Sequence, residues 1–188
     1  MKKNLIFATA IAITGLVYSS NLGAFGQNRK SMTLDDKYTL SMAFHKADTI
    51  LVVVPDGNAM TETDRNDIES NVFLEKGQNK PAYIFKSESE VTSKDLKKHI
   101  LFYGSFNDFQ RKEFLKIPIK KHGKGFEFNN QVFDQEVDAF FYINKNATRM
   151  YVCKNSNLTR HEFFSVGGSA YPLHIFRGNE IVVTGVYL

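Results

Sequence analysis

Residues 49–54 read Thr-Ile-Leu-Val-Val-Val, and Pro-Asp-Gly follows them at residues 55–57. A continuous apolar run rich in β-branched residues is typical of a strand that is buried on both faces. Strands of this kind belong to parallel sheets whose two faces are covered by helices. The Pro-Asp-Gly sequence marks the end of the strand, because these residues favour turns. This stretch therefore predicts an α/β fold built on a parallel sheet.

Alternating helix and strand patterns follow this first strand. Residues 61–76 begin with acidic side chains and place Ile68 and Val72 four positions apart, which predicts an amphipathic helix that ends at Gly77. The same reasoning predicts strands at residues 81–85 and 99–103 and helices at residues 92–98 and 107–116. The repeated order of strand and helix is typical of right-handed crossovers on a parallel sheet.

After Pro118 the pattern changes to short strands joined by turns. Asn129-Asn130 and Arg177-Gly178-Asn179 are hairpin-type sequences, because Asn and Gly tolerate positive φ. Residues 38–44 fit both strand and helix spacing, and we favour a helix there. Strands are expected at residues 126–128, 132–133, 139–143, 150–153, 173–176 and 181–188, and a helix at residues 157–164. The fold class predicted is a three-layer α/β sandwich, with a parallel N-terminal half and antiparallel strands and hairpins added by the C-terminal half.

The first 26 residues have the pattern of a cleaved export signal. Lys2 and Lys3 precede an apolar stretch at residues 5–18, and Ala-Phe-Gly at residues 24–26 places small residues at the −3 and −1 positions. A membrane anchor is the alternative, but it needs ~20 strongly apolar residues, and this stretch is shorter and interrupted. We expect residues 27–188 to form a single α/β domain in the periplasm or outside the cell, with no stable membrane anchor.

Composition excludes several classes of protein. The 188 residues are 43% apolar and 13% aromatic, which is enough for a core and excludes wholesale disorder. Without residues 1–26, 22 basic side chains face 20 acidic ones, so a nucleic-acid partner is not expected. Cys153 is the single cysteine, and its strand-like neighbours predict a buried, inert thiol. The five histidines are dispersed, so we expect neither a metal nor a cofactor.

One part of the chain resembles a known family. Residues 95–105 combine an Asp-Leu helix start with a strand that ends in Gly-Ser. Ile117-Pro118-Ile119 matches a turn, Gly125-Phe126 with Val132-Phe133 matches a Gly-rich hairpin, and Asn144, Asn146, Arg149 and Tyr151 match a strand entry. Over residues 90–155 this pattern resembles the non-catalytic α/β accessory domain of secreted bacterial hydrolases and peptidases of the α/β-hydrolase type. Lys145 stands where that family has Pro, and no catalytic domain accompanies the pattern in this sequence. The resemblance implies a non-catalytic role.

Two groups of residues are candidates for binding. Ligands of open α/β sheets lie beyond the carboxyl ends of parallel strands, which makes Asp56, Asn58, Ser105 and Asn107 candidates for a pocket floor. The same residue types also serve turns and helix caps. Residues 97–125 carry eight basic and two acidic side chains, whereas residues 55–96 carry five basic and nine acidic ones. The candidates for a partner-binding surface in the basic segment are Lys120, Lys121 and Lys124, although solvated surface charge is the simpler explanation.

The usual enzyme signatures are missing from the sequence, including Gly-x-Ser-x-Gly and His-Glu-x-x-His. We therefore expect a secreted or periplasmic, non-catalytic α/β domain that binds a protein or carbohydrate partner. The alternatives are a periplasmic inhibitor or immunity protein and a divergent hydrolase that uses Ser105 or Ser169. A carbohydrate-binding protein would depend on exposed aromatic side chains, for which Phe106, Tyr142 and Tyr171 are the candidates.

Overall fold

The computed structural model of the protein describes residues 34–58, 60–70, 74, 77–156 and 172–185. The helices in this part of the chain are α1 (Leu34–His45) and α2 (Glu62–Ser70), and single 3-10 turns lie at Glu88–Glu90, Asp95–Lys97 and Phe106–Asp108. The strands are β1 (Thr49–Val54), β2 (Ala82–Ser87), β3 (His99–Ser105), β4 (Lys120–His122), β5 (Gly125–Phe128), β6 (Gln131–Phe133), β7 (Asp138–Ile143), β8 (Arg149–Lys154), β9 (Leu173–Arg177) and β10 (Glu180–Gly185).

Seven of the strands form one mixed sheet in the order β10-β9-β7-β8-β3-β1-β2. The strands β2, β1, β3 and β8 run parallel, with Val52 of β1 aligned with Phe85 of β2 and with Leu101 of β3. The remaining strands of this sheet, β7, β9 and β10, each run antiparallel to their neighbours. Strands β4, β5 and β6 form a second, antiparallel sheet, which we call the small sheet.

The predicted fold class, a three-layer α/β sandwich of strand and helix repeats, is wrong. The described residues are mostly β, with two α-helices, and both helices pack on one face of the large sheet. The small sheet and irregular chain cover the opposite face, where the prediction required further helices. The parallel pairing of β1, β2 and β3 does occur, but of the two connections between them only the one from β1 to β2 carries an α-helix among the described residues.

One of the two missing helices, predicted at residues 107–116, has a physical explanation in a buried side chain. The carboxylate of Glu88, which is 2% exposed, accepts hydrogen bonds from the backbone N–H groups of Gln110 and Arg111 at 2.6–3.0 Å. The Arg111 guanidinium in turn donates to the carbonyl oxygen of Val91 at 2.8 Å. These bonds use N–H groups that a helix over residues 107–116 would need, because side-chain acceptors compete with the helical hydrogen-bond pattern. Residues 106–108 form a 3-10 turn and residues 112–115 a turn in place of this helix, and residues 92–98 contain one 3-10 turn.

Several other local predictions agree with the structure. The helix favoured at residues 38–44 is correct, and both residues of the predicted Asn129-Asn130 turn have positive φ, at 50° and 63°. The helix predicted at residues 61–76 is found as α2, and Leu74 is not helical. Strand β4 lies in the basic segment, where no strand was predicted. The export signal at residues 1–26 and the helix at residues 157–164 lie outside the described residues.

Side chains alternate between two apolar faces of the large sheet. On the helix face, Ile50 and Val52 pack with Phe44 of α1 and Ile68 of α2. On the small-sheet face, Phe102 of β3 stacks on Tyr151 of β8 with ring centroids 4.5 Å apart. Burial on both faces explains why β1 reads as a continuous apolar run.

Two histidines form hydrogen bonds at the end of α1, His45 within the helix itself and His99 from strand β3 of the large sheet. The Nδ1 atom of His45 donates to the carbonyl oxygen of Ser41 at 2.7 Å, and Nδ1 of His99 donates to that of Phe44 at 2.8 Å. His45 is 5% exposed, and burial lowers its pKa from 6.5 to about 4, with a further lowering from His99 that the Ser41 bond opposes. The folded protein therefore prefers neutral His45, whereas the unfolded chain takes up a proton below about pH 6.5.

Acidification is therefore expected to weaken folding before the carboxylates titrate. The pKa of His45 is lower in the folded protein than in the unfolded chain. The contribution of neutral His45 to the free energy of unfolding is therefore complete above about pH 6.5 and is lost as the pH falls toward 4. We expect the free energy of unfolding to fall by about 2 kcal/mol between about pH 7.5 and about pH 5. Urea titrations at both pH values would measure this change. The variant His45→Gln should lose most of it, and the exposed control His122→Gln should keep it; equal behaviour of the two variants would contradict the assignment.

Candidate functional site

The carboxyl ends of β1 and β3 approach each other closely. Gly104 has φ of +127°, and a Cβ atom at this position would lie 3.0 Å from Cδ of Pro55. Beyond the strands, Nδ2 of Asn58 donates to Oδ2 of Asp108 at 3.3 Å. A residue with a side chain at position 104 would be strained both by the positive φ and by Pro55. This close packing places the residues after β1 next to those after β3.

The four predicted pocket residues are held by different partners. Asp56 accepts a hydrogen bond from the backbone N–H of Ser89 at 3.0 Å, and this bond lowers the pKa of Asp56. Asn58 bonds Asp108, whereas the carbonyl oxygen of Asn107 accepts from Nζ of Lys121 at 2.7 Å on the small-sheet side. Ser105 is 5% exposed on β3. The hydrogen bonds of these residues lead in different directions and do not join the four into one polar cluster.

The structure instead aligns Ser105 with a lysine that sequence reasoning missed. Strands β3 and β8 are parallel neighbours, and their register pairs Ser105 with Lys154. Both side chains lie on the helix face, because Leu101 and Val152 of the same strands pack there and side chains alternate along a strand. Lys154 is only 8% exposed, and burial lowers the pKa of its ammonium group. Adjacent parallel strands lie about 4.8 Å apart, so the two side chains begin side by side.

Asp64, in the first turn of α2, forms a polar group with Ser105 and Lys154. Its Oδ2 accepts hydrogen bonds from the backbone N–H and the hydroxyl of Thr61 at 3.0 and 2.6 Å, while its own N–H donates to the Thr61 hydroxyl at 3.1 Å. This reciprocal pair caps the helix. The hydroxyl of Tyr103 donates to Oδ1 of Asp64 at 2.7 Å. Burial raises the pKa of Asp64, but the bonds from Thr61 and Tyr103 outweigh it, and the nearby charge of Lys154 also helps to lower the pKa. We call Tyr103, Ser105, Lys154 and Asp64 the helix-face polar group.

A signal for this group was present in the sequence. Met150, Val152 and Lys154 occupy alternate positions, so a lysine follows two apolar residues on the same face of a strand. A lysine placed on an apolar face is rare unless it has a partner or a function. Recognising the group also required the register of β3 against β8, which local sequence patterns do not contain.

The predicted partner surface divides into two kinds of lysine. The Nζ atom of Lys121 donates to the carbonyl oxygens of Asn107 and Phe109, so it fastens the small sheet to the chain after β3. Lys120 and Lys124 are exposed on the β4–β5 hairpin. Exposed lysines also precede this hairpin, and we call the set Lys112, Lys116, Lys120 and Lys124 the basic layer. Within the described part of the chain, none of these four ammonium groups forms an ion pair.

Part of the acidic segment, helix α2, lies on the other side of the large sheet. Helix α2 carries Glu62, Asp64, Asp67 and Glu69 and packs through Ile68 against the helix face. The chain that carries the basic layer packs through Phe114, Ile119 and Phe126 against the small-sheet face. Four acidic side chains therefore lie on the side opposite the basic layer, whereas Glu88 of the same acidic segment binds Gln110 and Arg111 of the basic segment.

The remaining candidate residues from the sequence either lie among the described residues or fall outside them. Cys153 is confirmed as a buried thiol, and burial raises its pKa well above the ordinary value. Phe106 and Tyr142 are 1% and 9% exposed, so the proposal that they form an exposed carbohydrate-binding surface is wrong. Ser169 and Tyr171 lie outside the described residues.

Among the residues described, no three His, Cys, Asp or Glu side chains come together as a metal site would require. The helices of the described chain are all too short or too polar to span a membrane.

Comparison with known proteins does not assign this chain to a family. No family model, no curated protein and no solved structure gives a significant match to this chain. The functional argument therefore depends on the chain's own residues.

Proposed function

We propose that this protein is a binding protein, exported from the cytoplasm, that attaches to an anionic protein or carbohydrate partner through the basic layer. The observation that carries the proposal is the group of four exposed lysines without an ion pair among the described residues. Residues 97–125 have eight basic and two acidic side chains, and an excess of charge of one sign attracts partners of the opposite sign and increases the rate of association.

The chain under the basic layer is firmly attached to the core. Ile119 and Phe114 are 1% and 2% exposed, and Phe126 of β5 is completely buried. Lys121 and Arg111 reinforce this packing through hydrogen bonds to backbone carbonyl groups. A charged surface on a rigid support loses little conformational entropy on binding. The lysines are therefore presented in a fixed arrangement, as a binding surface requires.

The surface also fits the inhibitor or immunity alternative, with an acidic toxin or enzyme as the partner. Both versions require the same lysines and differ only in what the partner does. The carbohydrate version requires an acidic or sulfated glycan, because the candidate aromatic residues Phe106 and Tyr142 are buried. The class of partner therefore follows from which polyanion the basic layer prefers.

Charge reversal tests the proposal. We expect Lys120→Glu with Lys124→Glu to weaken binding to polyglutamate or to heparin at least about tenfold, and the loss to shrink at high salt. Fluorescence anisotropy at low and moderate salt would measure both effects. A preference for polyglutamate supports a protein partner, and a preference for heparin supports a carbohydrate.

The matched control is Lys80→Glu with Lys145→Glu, which changes the net charge equally at two exposed lysines away from the basic layer. This control should weaken binding only slightly. If both double variants lose the same affinity, net charge alone explains the binding and the proposal is wrong.

A further inference from the structure

The helix-face polar group suggests an activity beyond binding. Ser105 and Lys154 are aligned on neighbouring parallel strands, face the same side of the sheet, and are 5% and 8% exposed. A serine hydroxyl becomes a useful nucleophile only when a base beside it can remove its proton. A lysine amine performs this role when its surroundings disfavour the ammonium form. The alignment therefore places a candidate nucleophile and a candidate base at paired positions of neighbouring strands.

We propose that Ser105 is the nucleophile and Lys154 the general base of a hydrolytic site for small carboxylic esters. The low exposure of Ser105 limits the acyl group to a small one. This site lies on the helix face of the large sheet, whereas the basic layer lies on the opposite side. The activity is thus independent of the proposed binding surface.

The reaction proceeds in two steps, acylation of Ser105 and hydrolysis of the acyl group. In the first, the Ser105 proton moves to Nζ of Lys154 while Oγ forms a bond to the ester carbonyl carbon. The carbon–alkoxide bond then breaks, and the departing oxygen takes the proton from Lys154. In the second step, water gives a proton to Lys154 and its oxygen attacks the acyl carbon. The bond to Oγ breaks, Oγ regains the proton, and a carboxylic acid is released.

Lys154 has chemistry suited to this role. Burial lowers the pKa of its ammonium group, and the charge of Asp64 acts in the opposite direction. The charge of Asp64 on α2 acts on Lys154, and Tyr103 of β3 holds Asp64 by a hydrogen bond. Asp64 and Tyr103 are positioning residues, because they set the environment of the amine and not the bonds that change.

Labelling with a fluorophosphonate tests the nucleophile. The mature protein should be labelled at Ser105, and mass spectrometry of the digested protein would locate the label. Ser105→Ala should abolish labelling, and the exposed control Ser93→Ala should leave it unchanged. An unlabelled wild-type protein, a label at another serine, or full labelling of Ser105→Ala would each overturn the proposal.

Lys154→Arg tests the base, because arginine keeps the positive charge but does not release its proton at ordinary pH. We expect the labelling rate and the hydrolysis of p-nitrophenyl acetate to fall at least about a hundredfold. Urea titration would verify that the variant is folded. A folded Lys154→Arg protein that reacts at the wild-type rate would overturn the role of Lys154.

The pH profile tests Asp64 separately. Since Asp64 stabilises the ammonium form of Lys154, Asp64→Asn should lower the pKa of the amine and shift the acidic limb of the rate profile to lower pH by about 1 unit. A purely structural role for Asp64 would lower the rate without moving this limb. An unchanged limb would therefore overturn the assignment of Asp64 as a positioning residue.

Discussion

Replacing Gly125 with alanine is expected to force β5 away from β6 within the small sheet, at a cost of about 3 kcal/mol or more in folding free energy. A Cβ atom at this position would lie 2.0 Å from the carbonyl oxygen of Phe133 and 2.7 Å from Cα of Asp134. Both atoms belong to the backbone, so rotation of a side chain cannot relieve the clash. The strand β5 would have to move away from β6.

This movement would also break a contact between the two sheets. Nδ2 of Asn155 donates to the carbonyl oxygens of Phe133 and Gln135 at 3.0 and 2.8 Å, and it would lie 2.9 Å from the added Cβ atom. Urea titration would measure the loss of stability, and amide hydrogen exchange in β5 and β6 would show where it occurs. The basic layer should lose its fixed arrangement in the same variant.

Gly123→Ala is the matched control in the same hairpin. Gly123 has φ of +57°, but no atom lies within 4 Å of its added Cβ. The control therefore costs only the strain of a left-handed alanine, about 1 kcal/mol. If the two variants are equally stable, the close approach at Gly125 does not hold the small sheet in place.

Arg177→Met is expected to destabilise the protein by about 3 kcal/mol, although the arginine side chain is 41% exposed. Its guanidinium donates from Nε to Oδ1 of Asp138 at 2.9 Å and from Nη2 to Oδ2 at 3.2 Å. Asp138 is completely buried. Without the arginine, a buried carboxylate would keep only its bond from the Gln135 N–H, at 3.1 Å.

A double variant distinguishes this cause from lost packing. Adding Asp138→Asn to Arg177→Met removes the buried charge, so the double variant should be more stable than Arg177→Met alone. Arg65→Met is the control, because Arg65 is exposed and contacts the Phe85 ring at 4.5 Å without a buried carboxylate partner, and it should cost under about 1 kcal/mol. Thermal and urea unfolding would measure all three. A double variant less stable than Arg177→Met would contradict the explanation.

Part of the fold could be predicted because local patterns determine it. The run at residues 49–54 indicated a strand buried on both faces, and β1 lies between two parallel neighbours as that pattern requires. The Asn129-Asn130 turn was predictable because asparagine tolerates the positive φ that both residues adopt. Features of this kind depend on neighbouring residues alone.

The absence of the helix at residues 107–116 could not be predicted, because a distant side chain decides it. Residues 107–116 have a plausible helical composition, but the buried carboxylate of Glu88 binds the N–H groups of Gln110 and Arg111. Strand β4 reads Lys-Lys-His, without apolar alternation, and it is a strand because it pairs with β5. In each case the tertiary partner outweighs the local preference of the sequence.

The candidate sites also divide into residues that local sequence identifies and residues that only tertiary contacts identify. The rule for parallel sheets identified Ser105, because it depends only on where a strand ends. Lys154 was missed because its position beside Ser105 depends on the pairing of β3 with β8. The hydrogen bonds of Lys121 were also missed, since a lysine in a basic segment gives no sign that it binds two carbonyl oxygens.

The position of β8 in the large sheet affects the order in which the protein can fold. It lies between β3 and β7, so it joins the parallel strands from the first half of the chain to the antiparallel strands from the second. Until residues 149–154 arrive, β3 has an unpaired edge, and Phe102 lacks the Tyr151 ring that covers it. Contacts between distant segments form slowly, and unpaired edges of partly folded chains promote aggregation. A growing chain therefore cannot complete its main sheet until most of its length has been synthesised.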